Sequence, residues 1–280
     1  MNGKISNSIK IEEALGRWVD KVYPTKEEFS LVIKGGKKIT IYIGIDPTGP
    51  HLHLGHLTNF LVLKVLQQLG HKIIFLIGDF TAQIGDPTGK DSARQQLSPS
   101  EIKSNFKTFK TQASRIVNFS GKNAAKVVFN SKWHGKMSFA EAMKLASNFT
   151  IQQMIERDMF QKRIKEGKPI GLHEFFYPLV QGYDSVAMNV DAELGGTDQT
   201  FNMLMGRTLM KTYRHKDKFV ITTKLLENPL TSRKLMSKSE GGTINLDDTP
   251  GNVFGKVMAL GDGGMFQVAG LSSEMAMGMV

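Results

Sequence analysis

The 280-residue sequence contains no cysteine. That absence excludes a disulfide framework, a thiolate zinc site and a cysteine nucleophile, and it leaves any metal to histidine and carboxylate ligands. It also fits a reducing, cytoplasmic setting. Long apolar runs are missing as well. No segment approaches the roughly 20 apolar residues that span a bilayer, and the opening MNGKISNSIKIEEALGRW lacks the apolar core of a secretory signal. There is no arginine-rich arm, low-complexity tract or internal repeat. What is present is a net charge of +10 from dispersed lysines and arginines. Such a balance is compatible with an anionic partner, nucleic acid or polyphosphate, without singling one out. A chain of this length can bury the core of one large α/β domain with an insertion.

Apolar periodicity gives the coarse organisation. IEEALGRWVDKVY and TKEEFSLVI carry apolar residues at helical spacing, the second opened by Thr25 with Glu28 three residues on, a capping pair. KKITIYIGID reads as a β-branched strand stopping at Asp46-Pro47, LGHLTNFLVLKVLQQLG as a helix closed by Gly70, and HKIIFLIGDF as a second, buried strand. Strand, helix, strand in this spacing is a βαβ unit. Further on, SPSEIKSNFKTFKTQASRIVNF predicts one amphipathic helix and AKVVFN a third strand. SFAEAMKLASNF, IQQMIERDMFQKRI and LHEFFYPLVQGYDSVAM predict helices, the last despite Pro178. ELGGTDQTFNMLMGRTLM reads as a glycine turn opening another helix, and DKFVITTKLL as a late strand. LTSRKLMSKSEGGTINL, rich in Ser, Thr, Lys and Gly, has the composition of a mobile loop. The expected class is α/β, with a parallel sheet and a helical insertion.

The stretch HLHLGHL, residues 51 to 57, concentrates three of the seven histidines directly after IGIDPTGP. A metal site would need matching ligands, and His71, His134, His173 and His215 offer no matching pair. A solvated surface loop is the plain alternative. The third reading uses position: His53 and His56 share one face of a helix's first turn, with Gly55 between them leaving room for a ligand. A helix N-terminus attracts phosphate, and Asp46 and Thr48 add polar groups on the preceding turn. The carboxyl end of the first parallel strand is also where an open α/β sheet places a nucleotide.

Three other stretches carry chemistry. GDPTGKD, residues 85 to 91, resembles a P-loop but is one residue short between its glycines, and Asp91 stands where Ser or Thr should hold magnesium. Lys90 and Arg94 remain as a pair of cations four residues apart, in what is equally a solvated loop. In MSKSEGG, Lys238 between two serines and before two glycines is a cation able to close over a leaving phosphate, or a commonplace surface sequence. Tyr177, Gln181 and Asp184, spaced i, i+4, i+7, line one helix face. Flanked by Phe175, Phe176, Leu179 and Val180, that face is either a buried polar stripe suited to a ligand or simply the helix's polar side.

Taken together, HLGH and the distant MSKS resemble the HIGH and KMSKS signatures of class I aminoacyl-tRNA synthetases. YIGIDPTGPHLHLGH, IGDPTGK, EFFYPLVQGYD and GGTDQ, in that order, make residues 10 to 260 similar to the tyrosyl-tRNA synthetases. The resemblance implies a Rossmann-like catalytic domain over residues 1–225, open-sheeted with helices on both faces, carrying an insertion and dimerisation region at about 120–170. Residues 226–280 would hold the KMSKS-like loop and the start of a truncated C-terminal helical region. It implies ATP-dependent activation of L-tyrosine, transfer to tRNA(Tyr), Mg2+ accompanying ATP, no structural metal and a cytoplasmic homodimer with no membrane role.

Residue by residue, it assigns Thr48, His53 and His56 to phosphates or ribose in the transition state, and Lys90, Arg94, Lys238 and Ser239 to pyrophosphate. Asp46 and Asp198 go to the ammonium or ribose side. Gly44, Gly55 and Gly196 allow close approach of ATP, beside Met236. Asp86, Tyr177 and Gln181 would hold the substrate ammonium, Tyr42 and Asp184 its phenolic hydroxyl, and Gln199 its backbone end. Such a pocket rejects phenylalanine by leaving polar groups unpaired, an argument for which tyrosyl-tRNA synthetases are the standing illustration. A tryptophan-specific relative would not need Tyr42 and Asp184 together.

Two features depart from the pattern. Leu235 stands where KMSKS has its first lysine, with Lys234 one position earlier, so that lysine's role is either lost or taken over. The sequence also ends soon after GNVFGKVMAL, which implies a catalytic region without the C-terminal tRNA-binding modules. These motivate a rival, a catalytically inactive synthetase-like RNA-binding module. A smaller nucleotidyltransferase sharing the HxGH turn would have no use for Tyr42, Tyr177, Gln181 and Asp184.

Overall fold

The structure, a computed structural model, describes residues 11–90, 92, 96–228, 234–236 and 242–275. Among these, six strands form one sheet: β1 (Val19–Tyr23), β2 (Thr40–Ile45), β3 (Lys72–Ile77), β4 (Lys126–Phe129), β5 (Ala192–Gly196) and β6 (Phe219–Thr223), in the order β1-β6-β5-β2-β3-β4. All neighbours are parallel except β1, which runs antiparallel on β6 at one edge. In β2 and β3 successive residues such as Ile41 and Tyr42, or Phe75 and Leu76, are buried alike. Both faces of the sheet are therefore covered, which explains the unbroken apolar runs. From β2 the sheet grows through β3 and β4 on one side and through β5 and β6 on the other. The order reverses between β2 and β5, and the crevice at their carboxyl ends is where such a sheet binds ligands.

Helix α1 (Leu54–Gln68) crosses from β2 to β3 as expected, burying Phe60, Leu61, Leu63 and Leu66 in the main core. Helices α2 (Leu172–Met188) and α3 (Thr200–Arg214) pack closely where glycine meets glycine: a Cβ on Gly182 would stand 3.0 Å from the Gly206 nitrogen. A second apolar cluster, with Leu145, Met154, Leu179 and Leu209, joins them to the helices Phe139–Ala146 and Ile151–Ile155. Helices Pro250–Met258 and Gly261–Leu271 lean on the main core through Val253, Val257, Leu260 and Val268.

Four expectations need correction. IEEALGRWVDKVY is helical only over residues 11–17, and its second half is β1. A register shift between Val19 and Lys21 turns Val19 and Val22 to the same buried side, so a bulged strand imitates helical spacing. AELGG is not a turn but β5, too short and glycine-rich to signal a strand. The single helix expected from SPSEIKSNF onward breaks into Pro99–Phe106 and Phe109–Ala113. Near the break, Thr108 Oγ1 and Gln112 Nε2 both donate to the Pro50 carbonyl, at 3.1 and 2.9 Å, tying this segment to the histidine turn. IQQMIERDMFQKRI likewise divides, into Ile151–Ile155 and Asp158–Lys165. Arg157 between them is extended, and its guanidinium donates to Thr88 Oγ1 at 2.8 Å.

Candidate active site

At the carboxyl ends of β2 and β5 lies a cavity of about 770 Å³. Every residue assigned to the substrate or ATP site from the sequence that falls among the described ones lines it: Thr48, His53, His56 and Lys90; Tyr42, Asp86, Tyr177, Gln181, Asp184 and Gln199; Gly44, Asp46, Gly55, Gly196, Asp198 and Met236. Arg94, Lys238 and Ser239 lie outside the described residues.

The histidines answer a local need first. His53 is the N-cap of α1, and its Nδ1 accepts the Gly55 N–H at 3.2 Å. The His53 N–H in turn donates to His56 Nδ1 at 3.1 Å, a reciprocal capping box built from two imidazoles. Both Nδ1 atoms therefore act as acceptors, which in a neutral ring puts the proton on Nε2. The chain after the MSKS stretch is strapped to this turn: Leu54 N–H donates to Ile244 O at 3.0 Å and Leu246 N–H to Leu52 O at 2.8 Å. Buried Met236 packs beside Gly55. Lys234 Nζ reaches Asp198 Oδ2 at 2.6 Å, whereas Leu235 turns onto the core near Gly264.

Deeper in, the carboxylates are hydrogen-bonded, Asp184 buried and Asp46 and Asp86 partly so. Asp46 accepts from Thr81 Oγ1 at 2.6 Å and from Tyr177 OH at 2.8 Å, in space that only the missing side chain of Gly78 provides. Burial nevertheless pushes its carboxyl up to about 7. Asp86 accepts from Thr88 on one oxygen and from Gln199 Nε2, at 2.8 Å, on the other. Asp184 receives Trp133 Nε1 at 2.8 Å, His134 Nε2 at 2.7 Å and Asn130 Nδ2 at 3.2 Å. Its burial also raises that carboxyl, against the pull of these partners. Tyr42 does not bond Asp184 directly: its hydroxyl shares a 3.0 Å hydrogen bond with Ser185.

Sequence reasoning missed Thr81, Asn130, Trp133, His134, Ser185, Glu193 and Lys218. NSKWH carries no recognisable motif, and a lysine or glutamate in a charged sequence reads as surface. Among the described residues no three His, Asp or Glu side chains converge as a metal-binding group, and no helix is long and apolar enough to cross a membrane.

The open parallel sheet with its ligand cleft at the switch point is the Rossmann-like catalytic domain of class I synthetases, and the profile of the tRNA synthetases class I (W and Y) matches residues 34–268. The chain belongs to that family. Within it, this chain is 48% identical over 253 residues to the tyrosine–tRNA ligase of Carboxydothermus hydrogenoformans, covering 89% of this chain and 61% of that one. It is also 48% identical over 250 residues to the tyrosine–tRNA ligase of Francisella tularensis, covering 89% and 62%. The chain thus spans about three fifths of the length of these relatives. Two solved structures share the fold. They are the tyrosyl-tRNA synthetase from Archaeoglobus fulgidus complexed with L-tyrosine (TM-score 0.71, 22% identity, 95% of this chain and 80% of that one) and a C-terminally truncated mitochondrial tyrosyl-tRNA synthetase from Aspergillus nidulans (TM-score 0.75, 21% identity, 99% and 87%).

Proposed function

We propose that this chain activates L-tyrosine with ATP, forming tyrosyl adenylate and pyrophosphate, and transfers tyrosine to tRNA(Tyr). The observation that carries the reading is the joining, in one cavity, of a buried hydroxyl-recognising floor at Tyr42 and Asp184 to a histidine-capped helix N-terminus. The names of its relatives support the same substrate.

In the reaction a carboxylate oxygen of tyrosine attacks the α-phosphorus of ATP and the bond to pyrophosphate breaks. The protein supplies placement and fixed donors rather than covalent chemistry. Asp86, Tyr177 and Gln181 would hold the ammonium, Gln199 the backbone end, and Asp184 with Tyr42 the phenol. Thr48, His53 and His56 would face the phosphates, and Lys90, Arg94, Lys238 and Ser239 the departing pyrophosphate. Asp46 and Asp198 would serve the ammonium or ribose side, while Gly44, Gly55, Gly196 and Met236 frame the nucleotide. Lys234 takes over for the motif's first lysine, since its ammonium sits on the cavity wall at Asp198 while Leu235 faces the core. ATP enters as its Mg2+ complex.

Residues 1–225 are read as the catalytic unit and 226–280 as the catalytic loop with the start of a C-terminal helical region, working in the cytoplasm. A homodimer would form through the insertion at about 120–170, where Phe139 is 80% and Ile151 73% exposed, with Leu172 just beyond it also 73% exposed. The basic balance suits tRNA phosphates, so tRNA affinity should fall with salt.

The test is tyrosine-dependent exchange of pyrophosphate into ATP by the 280-residue chain, with phenylalanine and tryptophan as competitors. Exchange supported by tyrosine alone is expected, and Lys234→Ala should lower its kcat about tenfold by removing one cation from the leaving group. No exchange from a folded chain that still binds tyrosine would put the RNA-binding reading first.

A further inference from the structure

At the phenol end of the cavity, with Glu193 on the lining and Lys218 behind it, lies a charged pair that the roles above do not use. The wholly buried Lys218 contacts the Glu193 carboxylate, and its ammonium donates to Ser185 Oγ at 2.8 Å. Ser185 Oγ lies 3.0 Å from the Tyr42 hydroxyl and 3.4 Å from Glu193 Oε2. Glu193 Oε1 accepts from Gln181 Nε2 at 3.2 Å. Gly206 makes room for the lysine, since a Cβ there would stand 2.6 Å from its Nζ. A buried ion pair adds little stability over a well-packed apolar pair, and here it reaches two cavity-lining side chains, Tyr42 and Gln181.

Donor and acceptor roles, together with the distances, favour one direction. An ammonium only donates, so Ser185 Oγ accepts from Lys218 and its own proton must go to Tyr42 or to Glu193 Oε2. That carboxylate oxygen already receives Lys218 and is the more distant of the two. The shorter contact favours giving the Ser185 proton to the Tyr42 oxygen, and with both Glu193 oxygens already engaged by Lys218 and Gln181 the Tyr42 proton turns toward the cavity. A substrate phenol needs one donor and one acceptor. Asp184, its carboxylate already met by three donors, offers the acceptor.

We infer that Lys218, with Glu193, is a positioning residue for hydroxyl recognition: through Ser185 it orients Tyr42 as the donor to the phenolic oxygen of the substrate while Asp184 accepts its proton. This inference rests on the tyrosine reading above. Without the pair, Tyr42 is able to donate to Ser185 instead, and the floor then offers the phenol acceptors only.

The test is the double variant Lys218→Met, Glu193→Gln, which removes both charges together and keeps an acceptor for Gln181. In pyrophosphate exchange its KM for tyrosine should rise roughly tenfold with kcat held within about twofold, as expected for one lost hydrogen bond to bound substrate. The inhibition constant of phenylalanine should not move, so the preference for tyrosine narrows by the same roughly tenfold factor. A folded double variant with an unchanged tyrosine-to-phenylalanine preference, or one in which both ligands weaken together, overturns the inference. If the double variant does not fold, Ser185→Ala, which cuts the chain of hydrogen bonds and leaves the ion pair in place, must show the same narrowing, and an unchanged preference there overturns it equally. A wild-type chain with no tyrosine-dependent exchange instead removes the functional reading itself.

Discussion

At the floor of the cavity the Asp184 carboxylate, 2% exposed, is met by an indole, an imidazole and an amide donor. At the mouth, Lys234 and Asp198 are joined at 2.6 Å with side chains 44% and 30% exposed. The first arrangement is expensive to disturb, because each donor left behind would be buried and unpaired. The second is worth about 0–1 kcal/mol and is screened by salt, so on the proposed reading it could open and close around a departing phosphate. The contrast suits two tasks: a neutral hydroxyl is distinguished by fixed, dry partners, whereas a departing anion needs charges that can let it go.

The largest effect should come from the floor. Asp184→Asn replaces an acceptor of three hydrogen bonds with an amide that cannot serve them all. The expected loss is about 10³-fold in kcat/KM for tyrosine, roughly 4 kcal/mol, with most of the preference over phenylalanine gone. Pyrophosphate exchange, with circular dichroism confirming the fold, measures it. A loss below tenfold would mean that Asp184 and its three donors are not what selects the hydroxyl, and the contrast between the two ends would fall.

A smaller effect is expected at the mouth, and it separates structure from chemistry. Asparagine is as good an N-cap as any residue, so His53→Asn should leave the melting temperature nearly unchanged while lowering kcat about 10²-fold through the lost imidazole. His53→Ala should lose the activity and in addition about 1 kcal/mol of stability. Thermal denaturation beside exchange kinetics distinguishes the two variants. If His53→Asn keeps full kcat, the histidine is a cap and nothing more.

The two ends also differed in how much of them could be read from the sequence. The mouth rests on local spacing: His53, Gly55 and His56 occupy one helical turn, so their proximity follows from the helix alone. Half of the floor was legible for the same reason, since Tyr177, Gln181 and Asp184 repeat along α2. The other half comes from distant segments. Asn130, Trp133 and His134 follow β4, Glu193 lies in β5, and Lys218 immediately precedes β6. Only the sheet order brings them under α2, and no spacing rule announces a lysine that folding buries. The fold was legible wherever apolar runs were long, as in β2 and β3, and was misread where a bulge in β1 or the glycines of β5 disguised a strand.

Asp46 lies in the same cavity, and its titration sharpens the comparison with the smallest of these effects. Burial raises its carboxyl to about 7 even though Thr81 and Tyr177 donate to it. The folded chain therefore keeps a proton that the unfolded chain releases near pH 4. Stability on this account is full below about pH 4, declines as pH rises toward 7, and is level beyond it. Asp46→Asn has no proton to lose, so the melting temperature of the wild type minus that of the variant should fall by several degrees between pH 4 and 8. A difference that stays flat would mean that Asp46 is ionised throughout, and would place it with the wet groups of the mouth instead of the dry groups of the floor.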